Sequence, residues 1–458
     1  MPVEWQSWAT RRFGDLYTAV NLVFGVQVST SDPELIKQVF TGDPNVFHAG
    51  EGNAPLIPIV GSRSVLVLDG DEHLRRRRLV MPPFHGERMQ AHTDTMLRVT
   101  EEMIRGWRPG HEMSLYPSMQ QLTLEVILRA VFGLSTGPRL DDFRERMTAL
   151  LARVQSATGM LLMVPALQRD LGPLTPWAAF KRELDHVDAF VYAEIAERRA
   201  EPADANRNDV LSLLVRARDE DGGSLSDAEI HDDLMTLVIA GHESTATELC
   251  WAFAEILTHP EVEARLLAEI DEKASLLPGR IAELEYLDAV VKETLRLHPV
   301  IGNLGRRIKE SVTLRNHEIP KETIVSPSIV MTQRRADLYP EPEAFKPERF
   351  LGKKTDHSMY LPFGGGARRC LGAAFALYEM KVVLATVLGR VRLQSIRRTP
   401  PRTVLRSLAF APAGGTRVRI DGWRAPGDPF RPLAPPSVWD RLHAAVTHHQ
   451  ERRAPRPA

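Results

Sequence analysis

The stretch Phe363-Gly364-Gly365-Gly366-Ala367-Arg368-Arg369-Cys370-Leu371-Gly372 places one of the two cysteines of this chain at the end of a glycine-rich loop. The apolar, alanine-rich run 373–388 that follows is predicted to form a helix, so Cys370 would lie at its positive N-terminal end. The three glycines would let the backbone approach closely and direct N–H groups at the sulfur. With a cation nearby at Arg368, these features favour the thiolate, which is the form that binds metals.

A lone thiolate suits few metal centres. One cysteine cannot build a four-ligand zinc site or an iron–sulfur cluster, and Cys250 lies far from Cys370 in the sequence. Heme iron, in contrast, does use a single axial thiolate. The alternative is a buried cysteine after a surface turn, which would bind nothing.

The order Phe-x-x-Gly-x-Arg-x-Cys-x-Gly in this loop resembles the heme-thiolate signature of the cytochrome P-450 family. The resemblance implies heme b (iron protoporphyrin IX) with Cys370 as the metal ligand, Phe363 and Gly366 at the cofactor, and Arg368 at a heme propionate. It covers about residues 10–423. It predicts the family's mainly α fold with small β-sheets, a triangular helical body with heme between the long central helix and the helix after the cysteine loop.

A second informative stretch is Ala240-Gly241-His242-Glu243-Ser244-Thr245, inside a predicted helix near 226–258 that begins with the capping box Ser226-Asp227-Ala228-Glu229. Glycine, acid and hydroxyl residues cost stability within an apolar helix. They could form a polar stripe against another helix, or a kink over a heme. The stretch resembles the family's oxygen-activation motif, which implies catalytic roles for Glu243, Ser244 and Thr245. Serine replaces the family's threonine at 244, which keeps the hydroxyl but loses the methyl that restricts its rotamer.

Two further arginine-containing patterns resemble family motifs. Glu293 and Arg296 share a face of a predicted helix near 282–297, and Arg349 follows downstream. The resemblance implies that these three form the family's structural Glu/Arg/Arg triad. His73 and Arg77, four residues apart, match the family's propionate-binding spacing.

Arg306 matches another propionate-binding arginine, with Arg307 as the near alternative, and Arg368 would be a further one. A doubly charged cofactor edge buried in protein needs several such cations. The remaining basic residues could form a basic face on the cysteine side that suits an acidic redox protein, or they could be a solvated charge run. They are the other arginines of the 75–78 run, Arg334, Arg335 and Arg369.

Composition excludes several classes of protein. The 458 residues are 43% hydrophobic and 26% charged, and 58 basic residues balance 59 acidic ones to a net charge of −1. Neither nucleic acid nor an anionic membrane surface is therefore expected as the main partner. Two distant cysteines fit a reducing compartment. The N-terminus shows no apolar run of membrane-spanning length, so we expect a cytoplasmic monomer without a transmembrane anchor.

The chain is predicted to consist of a heme domain over 1–423 and an irregular tail over 424–458, which holds seven of the 33 prolines. Within the first part, β-like runs at 25–28 and 64–68 and a helical run at 33–40 precede the long helices. Short strands are expected near 390–420.

The family resemblance implies a monooxygenase that inserts one oxygen atom from O₂ into a small molecule. No glycine-rich dinucleotide fingerprint follows a strand, so external electron donors are expected, either ferredoxin with ferredoxin reductase or a flavodoxin. The predicted substrate-pocket residues are apolar and favour a lipophilic substrate such as a fatty acid, terpenoid, steroid or polyketide. They are Phe47, Leu56, Ile57, Ile59, Met160, Leu161, Met163, Leu237, Ala240, Val300, Ile301, Leu304 and Phe410. Arg63 could anchor a substrate carboxylate or lie at the surface.

Two other functions remain open from the sequence. A member of the family can catalyse peroxide-driven or non-oxygenating chemistry, such as isomerisation or dehydration, although Glu243 argues against the peroxide route. The chain could also be a heme-binding sensor or carrier without turnover, which the acid–hydroxyl pair at 243–244 disfavours.

Overall fold

The computed structural model describes residues 3–21, 25–84, 92–134, 136–156, 159, 168, 172, 175–202, 207–273, 281–352, 355–356, 359–406 and 409–424. Helices dominate this part of the chain. They are α1 (Val3–Phe13), α2 (Pro33–Thr41), α3 (Gly50–Asn53), α4 (Ile57–Val60), α5 (Gly70–Val80), α6 (Thr93–Arg105), α7 (Leu115–Phe132), α8 (Pro138–Gln155), α9 (Pro176–Ala200), α10 (Val210–Arg216), α11 (Asp227–Thr258), α12 (Pro260–Lys273), α13 (Glu285–Leu297), α14 (Ile329–Thr332) and α15 (Ala373–Arg390).

The strands are short and form small sheets. They are β1 (Leu16–Asn21), β2 (Gly25–Thr30), β3 (Phe47–His48), β4 (Glu112–Ser114), β5 (Arg306–Ile308), β6 (Val312–Leu314), β7 (His317–Ile319), β8 (Ile324–Pro327), β9 (Val391–Ser395), β10 (Thr403–Arg406), β11 (Ala409–Pro412) and β12 (Arg417–Trp423). Five of them pair in the order β1-β2-β8-β5-β3, with β2 and β8 parallel. The others form the sheet β4-β12-β9 and the hairpins β10-β11 and β6-β7. A mainly helical fold with small sheets is thus confirmed.

The long central helix begins where its cap predicts. The Ser226 side chain accepts the Glu229 backbone N–H, and the Glu229 carboxylate accepts the Ser226 backbone N–H, which completes the predicted capping box. Helix α11 then continues without interruption for 32 residues. It packs against α7, and both belong to the main hydrophobic cluster.

Cys250 lies in this cluster on α11. Its side chain is fully buried, and burial raises the pKa of its thiol. The backbone carbonyl of Cys250 accepts the Thr416 hydroxyl at 2.7 Å, which ties α11 to the turn before β12. Cys250 therefore packs the core, and its apolar surroundings keep it protonated and inert.

One predicted strand is wrong. The segment 64–68 forms turns, because its backbone donors are taken by side chains and by the Ser64 carbonyl within the segment rather than by a neighbouring strand. The Val65 N–H donates to Asp233 at 2.8 Å, and the Leu66 N–H donates to the Ser64 hydroxyl at 3.0 Å. The predicted elements at 25–28 and 33–40 are confirmed as β2 and α2, and the strands near 390–420 as β9 to β12. The predicted tail lies outside the described residues except for Arg424.

Candidate active site

The cysteine loop is closed by its own backbone. The N–H of Cys370 donates to the Phe363 carbonyl at 2.9 Å. The N–H of Gly372, the residue before α15, donates to the Cys370 sulfur. Phe363 packs at the edge of the main hydrophobic cluster. The loop therefore holds the sulfur just ahead of the helix, as the sequence predicts.

The glycines of the loop have a different role from the predicted one. Gly366 has φ +64°, and a Cβ there would overlap the backbone of Phe40 in α2. At Gly365 a Cβ would instead overlap the Phe40 ring. These glycines let the loop pack against α2, whereas the N–H directed at the sulfur comes from Gly372.

The Cys370 side chain is exposed, yet burial is the main influence on its acidity. The side chain is therefore accessible, but protein atoms surround the sulfur more than bulk water does. Burial raises the pKa of the thiol, and the Gly372 N–H, Arg369 and Arg77 oppose this increase. The sequence predicts that Arg368 and the loop glycines favour the thiolate, whereas the groups that lower the pKa of Cys370 are the Gly372 N–H, Arg369 and Arg77. The prediction also misses the larger effect of burial, which opposes them.

His73, Arg77, Arg306 and Arg368 form a basic cluster, and Arg77 also acts on the Cys370 thiol. Burial first, and then the charges of Arg368, Arg77 and Arg306, lower the pKa of His73 to about 3. Burial and Arg368 lower the pKa of Arg306 to about 10, and only Asp69 opposes them. His73 is 2% exposed, and its Nδ1 meets no hydrogen-bond partner among the described residues. Such mutual repulsion is relieved by an anion.

The strand β5 separates the two candidate arginines, because successive residues face opposite sides. Arg306 is buried and joins the basic cluster, while Arg307 pairs with Glu51 at 3.3 Å. Arg368 pairs with Asp69 at 2.5 Å, and the same carboxylate accepts the N–H groups of Gly50 and Glu51. Arg368 is thus held in place by Asp69 before any ligand is considered.

The donor set fits heme. The cysteine sulfur could ligate the iron, and three arginines with one carboxylate leave positive charge for two propionates. The unpartnered His73 Nδ1 adds a buried hydrogen-bonding atom at the same place.

The continuous central helix exposes side chains at the predicted motif. The side chain of Ala240 is exposed and Ser244 is partly exposed, whereas Val238 before them and Thr245 after them are buried. The Ser244 hydroxyl donates to the Ala240 carbonyl at 2.6 Å, one turn earlier on the helix. This hydrogen bond fixes the position of the Ser244 hydroxyl on the helix.

Glu243 is held by residues that sequence reasoning missed. Tyr116 donates to its Oε1, and Gln120 and Gln155 donate to its Oε2 at 3.0 and 2.7 Å. Burial raises the pKa of Glu243, and these donors together with Arg406 oppose the increase. Tyr116 and Gln120 could have been noticed as polar residues four apart in an apolar helix, but Gln155 and Arg406 carry no local signal.

Glu293, Arg296 and Arg349 form one ion-pair cluster. Arg296 donates through two nitrogens to the Glu293 carboxylate at 2.7 and 2.9 Å, and Arg349 donates to it at 3.2 Å. Glu293 and Arg296 are both fully buried. Arg296 also donates to the backbone carbonyls of Gln333 and Pro342, so the cluster fastens α13 to the segment before the cysteine loop.

Some of the predicted pocket residues have exposed side chains, and others are buried in separate hydrophobic clusters. Ala240 and Ile301 have exposed side chains, whereas Leu237 and Val300 are buried. Phe410 is buried against Val330 and Met331. Phe47 and Leu304 pack against a second hydrophobic cluster, which includes residues of the five-stranded sheet. Phe47 reaches this cluster because it pairs with Ile308 across β3 and β5.

Other predicted pocket residues differ in exposure. Ile57 is exposed, Leu56 is partly exposed and Ile59 is buried. The Arg63 side chain is exposed, which favours the surface position. The residues Met160, Leu161 and Met163 lie outside the described ones.

Most of the predicted basic face is paired with acids instead. Arg75 pairs with Asp219, and Arg335 pairs with Asp15 and Asp337. Arg76 is buried between α5 and α11 with Asp233 and Glu229, and Arg334 pairs with Glu343. Arg369, in contrast, does lie near Cys370.

Comparison with known proteins agrees with this geometry. The sequence model of the family described as Cytochrome P450 matches residues 1–416. The chain belongs to the cytochrome P450 family. A protein named cytochrome P450 135B1 from Mycobacterium tuberculosis is 41% identical over 414 residues, which are 90% of this chain and 86% of that one. Cytochrome P450 138 from the same species is 38% identical over 413 residues, 89% of each chain.

Solved structures share the fold. A cyanobacterial CYP120A1 with bound retinoic acid aligns with a TM-score of 0.78 at 24% identity, over 91% of this chain and 94% of that one. The heme domain of cytochrome P450DA aligns with a TM-score of 0.80 at 24% identity, over 93% of each chain. Membership of the cytochrome P450 family implies a heme cofactor, external electron donors and an oxygen-incorporating oxidoreductase. Among the described helices, none has the length and apolar character needed to cross a membrane.

Proposed function

We propose that this cytochrome P450 is a monooxygenase that inserts one oxygen atom from O₂ into a lipophilic small molecule, with heme b bound at Cys370. The observation that carries the proposal is the Cys370 sulfur, which accepts the Gly372 N–H beside the basic cluster. When bound, the heme supplies the activation of O₂, a reaction that no amino-acid side chain performs. The reduced protein should give the red-shifted carbon monoxide band of a thiolate-ligated heme.

The chain's own residues would hold the cofactor by its charged edge. His73, Arg77 and Arg306 offer donors and positive charge for the propionates, and Arg368 adds a cation that Asp69 already orients. Arg296 and Arg349 both donate to the buried Glu293 carboxylate. This cluster would keep the segment before the cysteine loop in place. These residues bind and position, so they do not take part in proton transfer.

Glu243 and Ser244 would deliver protons to the site. A carboxyl whose pKa is raised by burial can hold a proton nearer neutral pH than an exposed glutamate can. The side chain of the adjacent Ser244 is partly exposed on α11. Because the hydroxyl can both accept and donate, it can pass a proton from Glu243 toward the substrate side. Thr245 is buried behind it.

Glu243→Gln is expected to slow product formation by about a hundredfold, the usual scale of a lost general acid. Ser244→Ala is expected to keep electron consumption while diverting it to hydrogen peroxide. The measurement is product formed per NAD(P)H consumed, with the variant carrying threonine at 244 as the control that should equal or exceed the natural protein. Unchanged rate and yield in both variants would show that protons reach the site by another path.

The substrate is proposed to be a fatty acid, terpenoid, steroid or polyketide-like compound. Ala240 on α11 and Ile301 after α13 have exposed apolar side chains, and none of the predicted pocket residues that the structure describes is acidic. We expect such compounds to shift the spin state of the heme-loaded protein in a mixed-library screen. If only small polar or cationic compounds produced the shift, the lipophilic class would be wrong.

The electron donors are proposed to be a ferredoxin with its reductase, or a flavodoxin. Arg369 on the loop and Arg77 on α5 are the described cations whose charges lower the pKa of the Cys370 thiol. Positive charge close to the cysteine suits an acidic electron-transfer protein. Most other arginines considered for that surface are already paired with acids, so the docking charge would be small.

A further inference from the structure

Arg406 is the last residue of β10, and the partner strand β11 contacts α11. Its guanidinium carbon is 3.8 Å from the centre of the Tyr116 ring on α7. Its Nη1 is buried and has no hydrogen-bond partner among the described residues. Arg406 is partly buried, and its contact with the Tyr116 ring is a cation–π interaction that leaves the charge without a carboxylate in contact.

The nearby anion is Glu243, which Arg406 reaches through Tyr116. The Tyr116 hydroxyl donates to Glu243 Oε1, while Gln120 and Gln155 donate to the other oxygen. Within the described chain Glu243 forms no ion pair shorter than 4.0 Å. The carboxylate is therefore held by neutral donors, and the cation that acts on it, Arg406, lies over the ring of the tyrosine whose hydroxyl donates to it.

The surroundings of Glu243 contain few other ionisable groups. Tyr116 from α7 and Arg406 from β10 act on its charge directly. Cys250 lies two turns further along α11, and burial raises its pKa with smaller influences from Arg406 and Glu243. The neighbouring His242 points to Thr123 on α7, at 3.1 Å from its hydroxyl. Among the described residues, Arg406 is therefore the cation whose charge acts on Glu243, in addition to the stronger effects of burial and of the Tyr116 and Gln120 donors.

We propose that Arg406 is a positioning residue for Glu243, which sets the acidity of this carboxyl through the stacked Tyr116 and thereby the pH range of proton delivery. The proposal rests on the proposed role of Glu243 and adds a residue to it. Because a cation stabilises the carboxylate, removing Arg406 must shift the protonation midpoint of Glu243 to higher pH. The protonated form is the proton donor, so the alkaline decline of coupled turnover should move in the same direction.

The test is an infrared titration of the heme-loaded full chain, with the carboxylic acid band of Glu243 assigned by its loss in Glu243→Gln. In Arg406→Gln the midpoint is expected to rise by about one to two pH units, the usual effect of a lost neighbouring charge. Arg406→Lys should stay close to the natural protein because it keeps the charge. Arg402→Gln is the matched control, since Arg402 is exposed four residues earlier and loses the same charge.

An unchanged midpoint in Arg406→Gln, or an equal rise in Arg402→Gln, would overturn the proposal. If Arg406→Gln fails to keep the thiolate carbon monoxide band, Arg406→Met, which preserves an apolar stem over Tyr116, takes its place. The pH profile of product per NAD(P)H distinguishes the effect of Arg406 on the acidity of Glu243 from the effect of Glu243 on proton delivery. A shifted infrared midpoint with an unchanged profile would uphold the pairing of Arg406 with Glu243 but overturn its effect on proton delivery and the role of Glu243.

Discussion

Cys370→Ser is expected to abolish the thiolate carbon monoxide band of the reduced protein and nearly all turnover. The sulfur lies on a closed loop before α15 and accepts the Gly372 N–H, so an oxygen there would keep the position but lose the soft, anionic ligand. Electron donation from the ligand would fall with it. The measurements are the carbon monoxide difference spectrum and the turnover rate with surrogate redox partners.

Cys250→Ser is the matched control for this variant. Cys250 is buried in the main cluster on α11, so the change should reduce stability modestly and leave the carbon monoxide band in place. An unchanged spectrum in Cys370→Ser would refute heme ligation by this residue. Loss of the band in both variants would point to unfolding rather than to a lost ligand.

Arg296→Met is expected to lower the free energy of unfolding by about 3 to 5 kcal/mol, because it leaves a buried carboxylate without its partner. Glu293 and Arg296 are fully buried, and Arg296 also serves the carbonyls of Gln333, Pro342 and Ala344. The segment that leads to the cysteine loop would lose its anchor. Denaturant unfolding and the heme content of the purified protein measure the effect.

Arg146→Met provides the comparison. Arg146 pairs with Asp142 at 2.8 Å on the exposed side of α8, where ion pairs contribute little to stability. Its unfolding midpoint and heme content should equal those of the natural protein. If Arg296→Met behaved in the same way, the buried cluster could not be the element that holds the cysteine loop.

Features encoded within a few residues could be predicted from the sequence. The cysteine loop and the helix after it, the capping box at Ser226 and the Glu293–Arg296 spacing all depend on neighbours in the chain. Their geometry follows from helix periodicity and from backbone donors at helix ends. For the same reason β5 separates Arg306 from Arg307, although only the structure shows which of them faces inward.

Contacts between distant segments could not be predicted in this way. The glycines of the cysteine loop are required by α2, and Arg368 is oriented by Asp69, about 300 residues earlier. The partners of Glu243 come from α7, α8 and β10. The raised pKa of Cys370 comes mainly from burial, which depends on the whole fold rather than on the residues of the loop.

Turnover under isotopically labelled O₂ tests the monooxygenase function most directly, once the spin-state screen has supplied a substrate. Glu243, Ser244 and the Cys370 loop together predict a product that carries one labelled oxygen atom and forms only when an electron donor is present. A product without the label, or one formed equally well from peroxide without a donor, would contradict it.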